Sequence, residues 1–318
     1  MSHTQPSLKH PILVGLVWSG LGAAFAAGYL VPYKAALAQV GPAGLVLPML
    51  LAAAMLSTGL EGLVRLLRLR RPSLQRAQPW RWDRVTLIVA LLLGAASALG
   101  NEAVCQALVW LNPGLVSVTL RTQVVFVAIG GLVLLREPLG VRFWIGLAVA
   151  LGGYAYLHGR LDVSGGVAMT GIVWAVVAAA GFGSMQVVIR RTIHRIDGLQ
   201  VNTLRLWLAA VLVALVPGRL VTLWTLDARI WAFAAAAALC GPVLSRLCLM
   251  RALRTLPAAH ATLALFAAPV FAYLLTGLVL GTWPSLAEVM GSGVILAAIA
   301  LPVTELTRKG TPAPAPEA

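Results

Sequence analysis

Apolar runs with almost no polar interruption recur along this chain about every 30 residues, as in Val85 to Leu93, Val124 to Leu135 and Ile230 to Leu239. In hydrocarbon, a backbone must satisfy its own N–H and C=O groups, so only helices and closed barrels cross a bilayer. Barrel strands alternate lipid-facing and lumen-facing residues, and these runs do not alternate. The chain therefore reads as an all-α polytopic membrane protein. Its 318 residues are 60% hydrophobic and 11% charged, and a soluble domain carries about twice that charge.

Spans of about 20 apolar residues are placed at 11–31, 43–62, 85–109, 113–135, 141–158, 167–189, 199–217, 230–250, 257–280 and 285–303, numbered 1 to 10. Gly41-Pro42, Asn112-Pro113-Gly114, Pro217-Gly218 and Trp283-Pro284 mark turns between them. The tail 305–318, rich in Pro and Ala, reads as disordered. Cys105, Cys240 and Cys248 lie inside apolar segments without metal-ligand or disulfide spacing, so no metal is expected.

The net charge of +14 does not point to nucleic acid, because the arginines cluster between apolar runs. With residues 1–10 cytoplasmic, the inner loops hold Arg65 to Arg84, Arg136 and Arg142, Arg190 to Arg195, Arg251 and Arg254, and Arg308-Lys309. The outer loops keep Lys34, Arg160, Arg219 and Arg229, with Asp162 and Asp227 as partial offsets. An even number of spans with both termini cytoplasmic satisfies the positive-inside rule at every turn. The expected location is the bacterial inner membrane.

The two halves repeat. Gly15-Leu-Val-Trp18 matches Gly171-Ile-Val-Trp174, and a constant offset of 145 carries Ala107-Leu108 onto Ala252-Leu253, Leu111 onto Leu256 and Leu120 onto Leu265. It also carries Val125-Phe126 onto Val270-Phe271 and Gly146 onto Gly291. Five spans per half is an odd number, so the second copy lies inverted. The charges agree: the neutral loop at Trp110 to Pro113 corresponds to the basic Arg251 to Arg254, and Arg136 to Arg142 corresponds to the Arg-free Gly281 to Pro284. Inverted repeats belong to carriers that expose one midplane site to each side in turn.

On these features the chain resembles the drug/metabolite transporter superfamily, and specifically its EamA-type members. The resemblance rests on Trp18 with Gly22-Ala-Ala24, Trp174, Arg205, Pro269, and Leu134-Leu-Arg-Glu-Pro-Leu139 followed by Gly146 and Gly152-Gly153. Pro48 stands where the first-half arginine would fall, Val124 replaces a proline, Arg136 the turn glycine, and Thr282 the second-half glutamate. The resemblance implies a ten-helix carrier with EamA-like five-helix repeats at 11–158 and 167–304, exporting amino acids, other metabolites or drugs.

Charged groups deep in a bilayer are costly and so point to sites. Glu102 in span 3 and Arg121 in span 4 lie on the order of 12–14 Å from their shared outer turn, which sets them at equal depth. The expectation is an ion pair flanked by Asn101 and Gln123. Such a pair locks two helices together, or offers Arg121 to a carboxylate and Glu102 to an amine or a coupling proton. Trp18 and Trp174 are either packing residues or cavity walls that stack on substrate. Gln186 with Met185 is a pathway candidate, and Arg246 either snorkels to the inner surface or guards the inner mouth. Tyr29, Tyr33 and Lys34 read as an outer interfacial anchor. His260 and Glu288 read as interfacial.

No phosphate-binding loop is present, and one deep acid without a His cluster does not make an intramembrane enzyme. A small-molecule secondary transporter is therefore expected. A channel or a lipid flippase on the same fold is the alternative. The expected partners are the bilayer and a small molecule, not nucleic acid, with a monomer or a homodimer both open. No cofactor is called for, and proton coupling is left open.

Overall fold

The computed structural model describes residues 9–70, 83–111, 116, 119–158, 166–268, 271, 290, 293–298, 300–302 and 304. Residues 1–8 and 71–82, Arg160, Asp162, Pro269, Gly281 to Pro284, Glu288, Gly291 and the tail 305–318 lie outside them.

The described residues are helical, with no strand among them. In chain order the helices are α1 (Lys9–Ala27), α2 (Leu30–Arg70), α3 (Arg84–Trp110), α4 (Gln123–Leu134), α5 (Val141–His158) and α6 (Gly166–Thr192). They continue with α7 (Gly198–Ala214), the short α8 (Arg219–Thr222), α9 (Ala228–Ala252), α10 (Ala258–Leu263) and α11 (Gly293–Pro302). Three of the chain's few acids are spent on caps. Asp83 accepts from the Thr86 N–H, Asp197 from Leu199 and Gln200, and Asp227 from Ile230, each satisfying N–H groups that a first turn leaves open.

Among the described residues, four helices are long and apolar enough to cross a bilayer, namely Gly44–Leu67, Arg84–Trp110, Met169–Thr192 and Ala228–Ala252. Two bent pairs raise the number to six: Pro11–Ala27 with Pro32–Pro42 at 47°, and Gly198–Ala214 with Arg219–Thr225 at 107°. Shorter apolar helices, Thr119–Leu134, Val141–Gly153, Ala258–Ala267 and Gly293–Pro302, stand where spans 4, 5, 9 and 10 were placed.

One expected loop is helical: residues 32–42 continue from α1 across a bend. The helix then breaks at Gly41, whose φ of 65° suits a residue without Cβ. Gly218, at φ 82°, makes the corresponding turn before α8.

Bundle surfaces carry Leu13, Val17, Ile88, Leu91, Val133 and Val173, large apolar side chains roughly half exposed or more. In water that much continuous apolar surface would drive association, whereas lipid accommodates it. The chain is a multi-pass membrane protein.

The first helix of each half is exchanged. α1 packs against α9 and α10, from the second half, whereas α6 packs against α3 and α4, from the first. The contacts that permit this are themselves related by the repeat. A Cβ at Gly15 would strike Thr255 and Leu256, and one at Gly171 would meet Leu111 at 2.5 Å and Trp110 at 2.9 Å. Leu111 and Leu256 are partners under the offset of 145. Small residues here let backbones approach where lipid offers no hydrophobic drive.

Candidate functional site

The exchange leaves space between the halves. A cavity of about 100 Å³ is lined by Ala26, Tyr29, Leu30, Asn101, Leu120, Arg121 and Gln123 from the first half. Phe182, Gln186, Arg205, Gly241, Pro242, Ser245, Arg246, Leu249 and Leu265 line it from the second. Four pairs in this wall are repeat mates. Asn101 and Arg246, like Leu120 and Leu265, are separated by 145, while Ala26 and Phe182, like Leu30 and Gln186, are separated by the 156 that carries Gly15 onto Gly171. Equivalent positions of the two copies thus meet in one wall, so the cavity lies between the copies.

Arg205 is fully buried and held by neutral acceptors. Nε donates to Asn202 Oδ1 at 3.0 Å, Nη1 to Ser97 Oγ at 2.8 Å, and Nη2 to the Pro242 carbonyl at 2.8 Å. Pro242 lies in a π-helical turn, Leu239–Ser245, within α9. The wider turn shifts the hydrogen-bond register, and the Arg246 N–H goes to the Val243 carbonyl rather than to that of Pro242. A neighbouring side chain then supplies the donor that the helix does not. Asn101 Nδ2 donates to the Ser97 carbonyl at 2.7 Å, so Ser97 joins Asn101 and Arg205 in one network.

Arg121 is 6% exposed, and its Nε has no hydrogen-bond partner. Arg246 places its guanidinium 5.6 Å from the centre of the Phe182 ring, with Nη1 buried and unpartnered. It lies in the cavity wall and does not snorkel to the surface. Gln186 Nε2 donates to Gln123 Oε1 at 3.4 Å, and Thr262 donates to Gln186 Oε1.

The expected Glu102–Arg121 pair does not form. Glu102 Oε1 instead accepts from Arg219 Nη2 at 2.6 Å and from Gln106 at 3.2 Å. Equal depth fixed the height of the two groups but not their direction. α6 packs against both α3 and α4, taking the place expected for a direct seam between them. Arg219 also donates to the Pro42 carbonyl at 2.6 Å, and Lys34 donates to those of Leu108 and Leu111.

Of the residues singled out in the sequence, Asn101, Arg121, Gln123, Gln186 and Arg246 line the cavity together, and Glu102, Trp18 and Trp174 are outside its lining. Trp18 lies 5.3 Å beneath the Arg251 guanidinium, and Trp174 packs on a hydrophobic core. The aromatic walls are Phe182 and Tyr29. Tyr29 and Tyr33 are not a surface anchor, since the bend after α1 turns them inward, where their rings stack at 5.3 Å and Tyr33 is fully buried. His260 is likewise buried, beside Phe143. Arg205 entered the sequence reading only through the family resemblance. Its burial is foreshadowed by an arginine one helical turn from Asn202 in an otherwise apolar segment.

At the opposite end of the bundle, Glu137 Oε1 accepts from Arg190 Nε at 2.8 Å, and its Oε2 from the Ala258 N–H at 3.0 Å. Arg190 also reaches the Leu253 carbonyl at 2.6 Å. The ends are distinguished by α3 and α6, which run antiparallel: Gly171 meets Leu111 and Gly181 meets Gly100.

Comparisons with known proteins agree with this architecture. No curated protein sequence matches the chain. A solved crystal structure described only as "Crystal structure of protein" superposes with a TM-score of 0.66 at 18% identity, covering 92% of this chain and 97% of its own. That likeness shows the fold. The model of the EamA-like transporter family matches twice, at residues 13–158 and 169–304, and these matches fall on the two halves that the offsets relate. Two matched copies, opposed across a shared cavity, make this chain a member of the EamA-like transporter family.

Proposed function

We propose that the chain is a secondary transporter that exports a small metabolite, amino acid-like compound or drug across the bacterial inner membrane by alternating access. The supporting observation is the cavity wall built from repeat-related positions of both halves. A site on the axis between two similar bodies is reached from either side by rocking one against the other. In this reading there are ten spans, both termini are cytoplasmic, and no cofactor is required.

Two ties between the halves, at opposite ends of the bundle, support the same scheme. Glu102–Arg219 joins α3 to α8, and Glu137–Arg190 joins the turn after α4 to α6. Rocking opens one end at a time, so each tie breaks in one state and holds in the other. Coupling to protons would act through a carboxylate that is released when its tie opens, and Glu102 and Glu137 are the acids so placed.

The test is solute counterflow in proteoliposomes holding the purified protein. Saturable uptake accelerated by solute on the far side is expected of a carrier. Flux that never saturates and ignores trans solute would mark a channel and end this reading.

A further inference from the structure

The cavity has a charge imbalance. Arg121, Arg205 and Arg246 all line it, and none of the described residues lining it is acidic. Nearby acids are already engaged, Glu102 with Arg219, Glu137 with Arg190 and Asp197 with the N–H groups of Leu199 and Gln200. Buried cations are ordinarily paired or neutralised, and arginine does not release its proton to escape the penalty.

The three arginines differ in what they have left to give. Arg205 is held in place by Asn202, Ser97 and Pro242. Arg121 keeps a buried Nε with no acceptor, and Arg246 a buried Nη1. Both bare donors belong to residues in the wall of one cavity, whose aromatic side is Phe182.

From this we infer that the transported solute is a small organic anion, whose carboxylate or similar oxyanion group is bound by Arg121 and Arg246 in the field of Arg205, with its apolar body against Phe182. The guanidinium fork suits such oxyanions. This inference rests on the transporter reading above and narrows its substrate class. It also separates the two halves of the earlier expectation: Arg121 serves the anion, and Glu102 is not part of the binding wall.

The test uses the full chain in nanodiscs and matched probes: 3-phenylpropanoate and 3-phenylpropyl phosphate against 3-phenylpropanamide and 3-phenylpropylammonium. Thermal stabilisation and calorimetric affinity are read for each. The expected result is that an anion binds at least about 10-fold more tightly than the amide, as a charge-assisted hydrogen bond implies. Arg121→Gln and Arg246→Gln should each erase most of that preference, and Arg121→Lys should retain part of it. If Arg121→Gln does not fold, Arg246→Gln decides. Equal or tighter binding of the amide or the ammonium, an anion preference that survives both substitutions, or stabilisation by none of the four would overturn the inference. Counterflow of the same solutes separates the two proposals. Counterflow of the amide or the ammonium alone leaves a transporter without anion selectivity, whereas anion binding with no counterflow of any solute leaves an anion site without transport.

Discussion

Glu102 and Arg219 come from different halves of the chain and meet at 2.6 Å, at the end of the bundle where Lys34 also reaches the carbonyls that finish α3. Arg219 is the more enclosed partner, and its second amine is spent on Pro42. Glu102→Gln and Arg219→Gln should each lower stability by about 1–3 kcal/mol, because each leaves a largely buried charge-assisted bond unmade. The double variant should cost little more than the worse single one. A double-mutant cycle on thermal unfolding measures this, and additive losses would show that the two side chains are not coupled.

The two ties should bias the transporter in opposite directions. Glu102→Gln removes the charge from one end and Glu137→Gln from the other, so each variant favours the state open on its own side. A cysteine placed at Asn101, in a background lacking the three native cysteines, reports which side reaches the cavity. Labelling by a membrane-impermeant thiol reagent from outside should rise in Glu102→Gln and fall in Glu137→Gln. The same direction of change in both would contradict the scheme.

Arg205 should be the most damaging single site. Replacing it with Ala leaves Asn202 Oδ1 and the Pro242 carbonyl without this donor and Ser97 Oγ with Asn101 Nδ2 at 3.4 Å, each orphaned buried acceptor costing about 1–3 kcal/mol. Arg205→Ala should lower thermal stability more than Arg121→Ala does, since Arg121 has an unmade bond and Arg205 has three made ones. The comparison needs only melting curves in one detergent. A smaller loss at Arg205 would refute the ranking.

Arg136 holds φ 52° in the turn between α4 and α5. A left-handed conformation costs a residue with Cβ about 1–2 kcal/mol. Arg136→Gly should therefore raise the unfolding midpoint by about 2 °C. A fall in the midpoint would mean that the guanidinium contributes more than the backbone loses.

The sequence carried the helices and the repeat because both are one-dimensional signals. Apolar runs mark the spans, and the offset of 145 put Asn101 opposite Arg246 and Leu120 opposite Leu265 before any coordinates placed them on one wall. Residues 32–42 were misread because Pro32 and Gly41-Pro42 look like loop punctuation, although the helix resumes between them. The Glu102 pairing was misread because a helix's neighbours in the bundle are not its neighbours in the chain. The inserted α6 belongs to the other repeat, and Arg219 is 117 residues from Glu102. Arg136 was legible as a departure from a glycine turn, and its positive φ supplies the physical meaning.

Exchange of the leading helices also governs assembly. The face of α1 around Gly15 packs on Thr255 and Leu256, which leave the ribosome some 240 residues later. Until then the first copy is threaded through the bilayer with an unfilled seam, and it waits for its twin before locking. Neither half is a self-sufficient ancestor in miniature. Split at the connection after α5, the two fragments should be inert alone and regain shape only when made together.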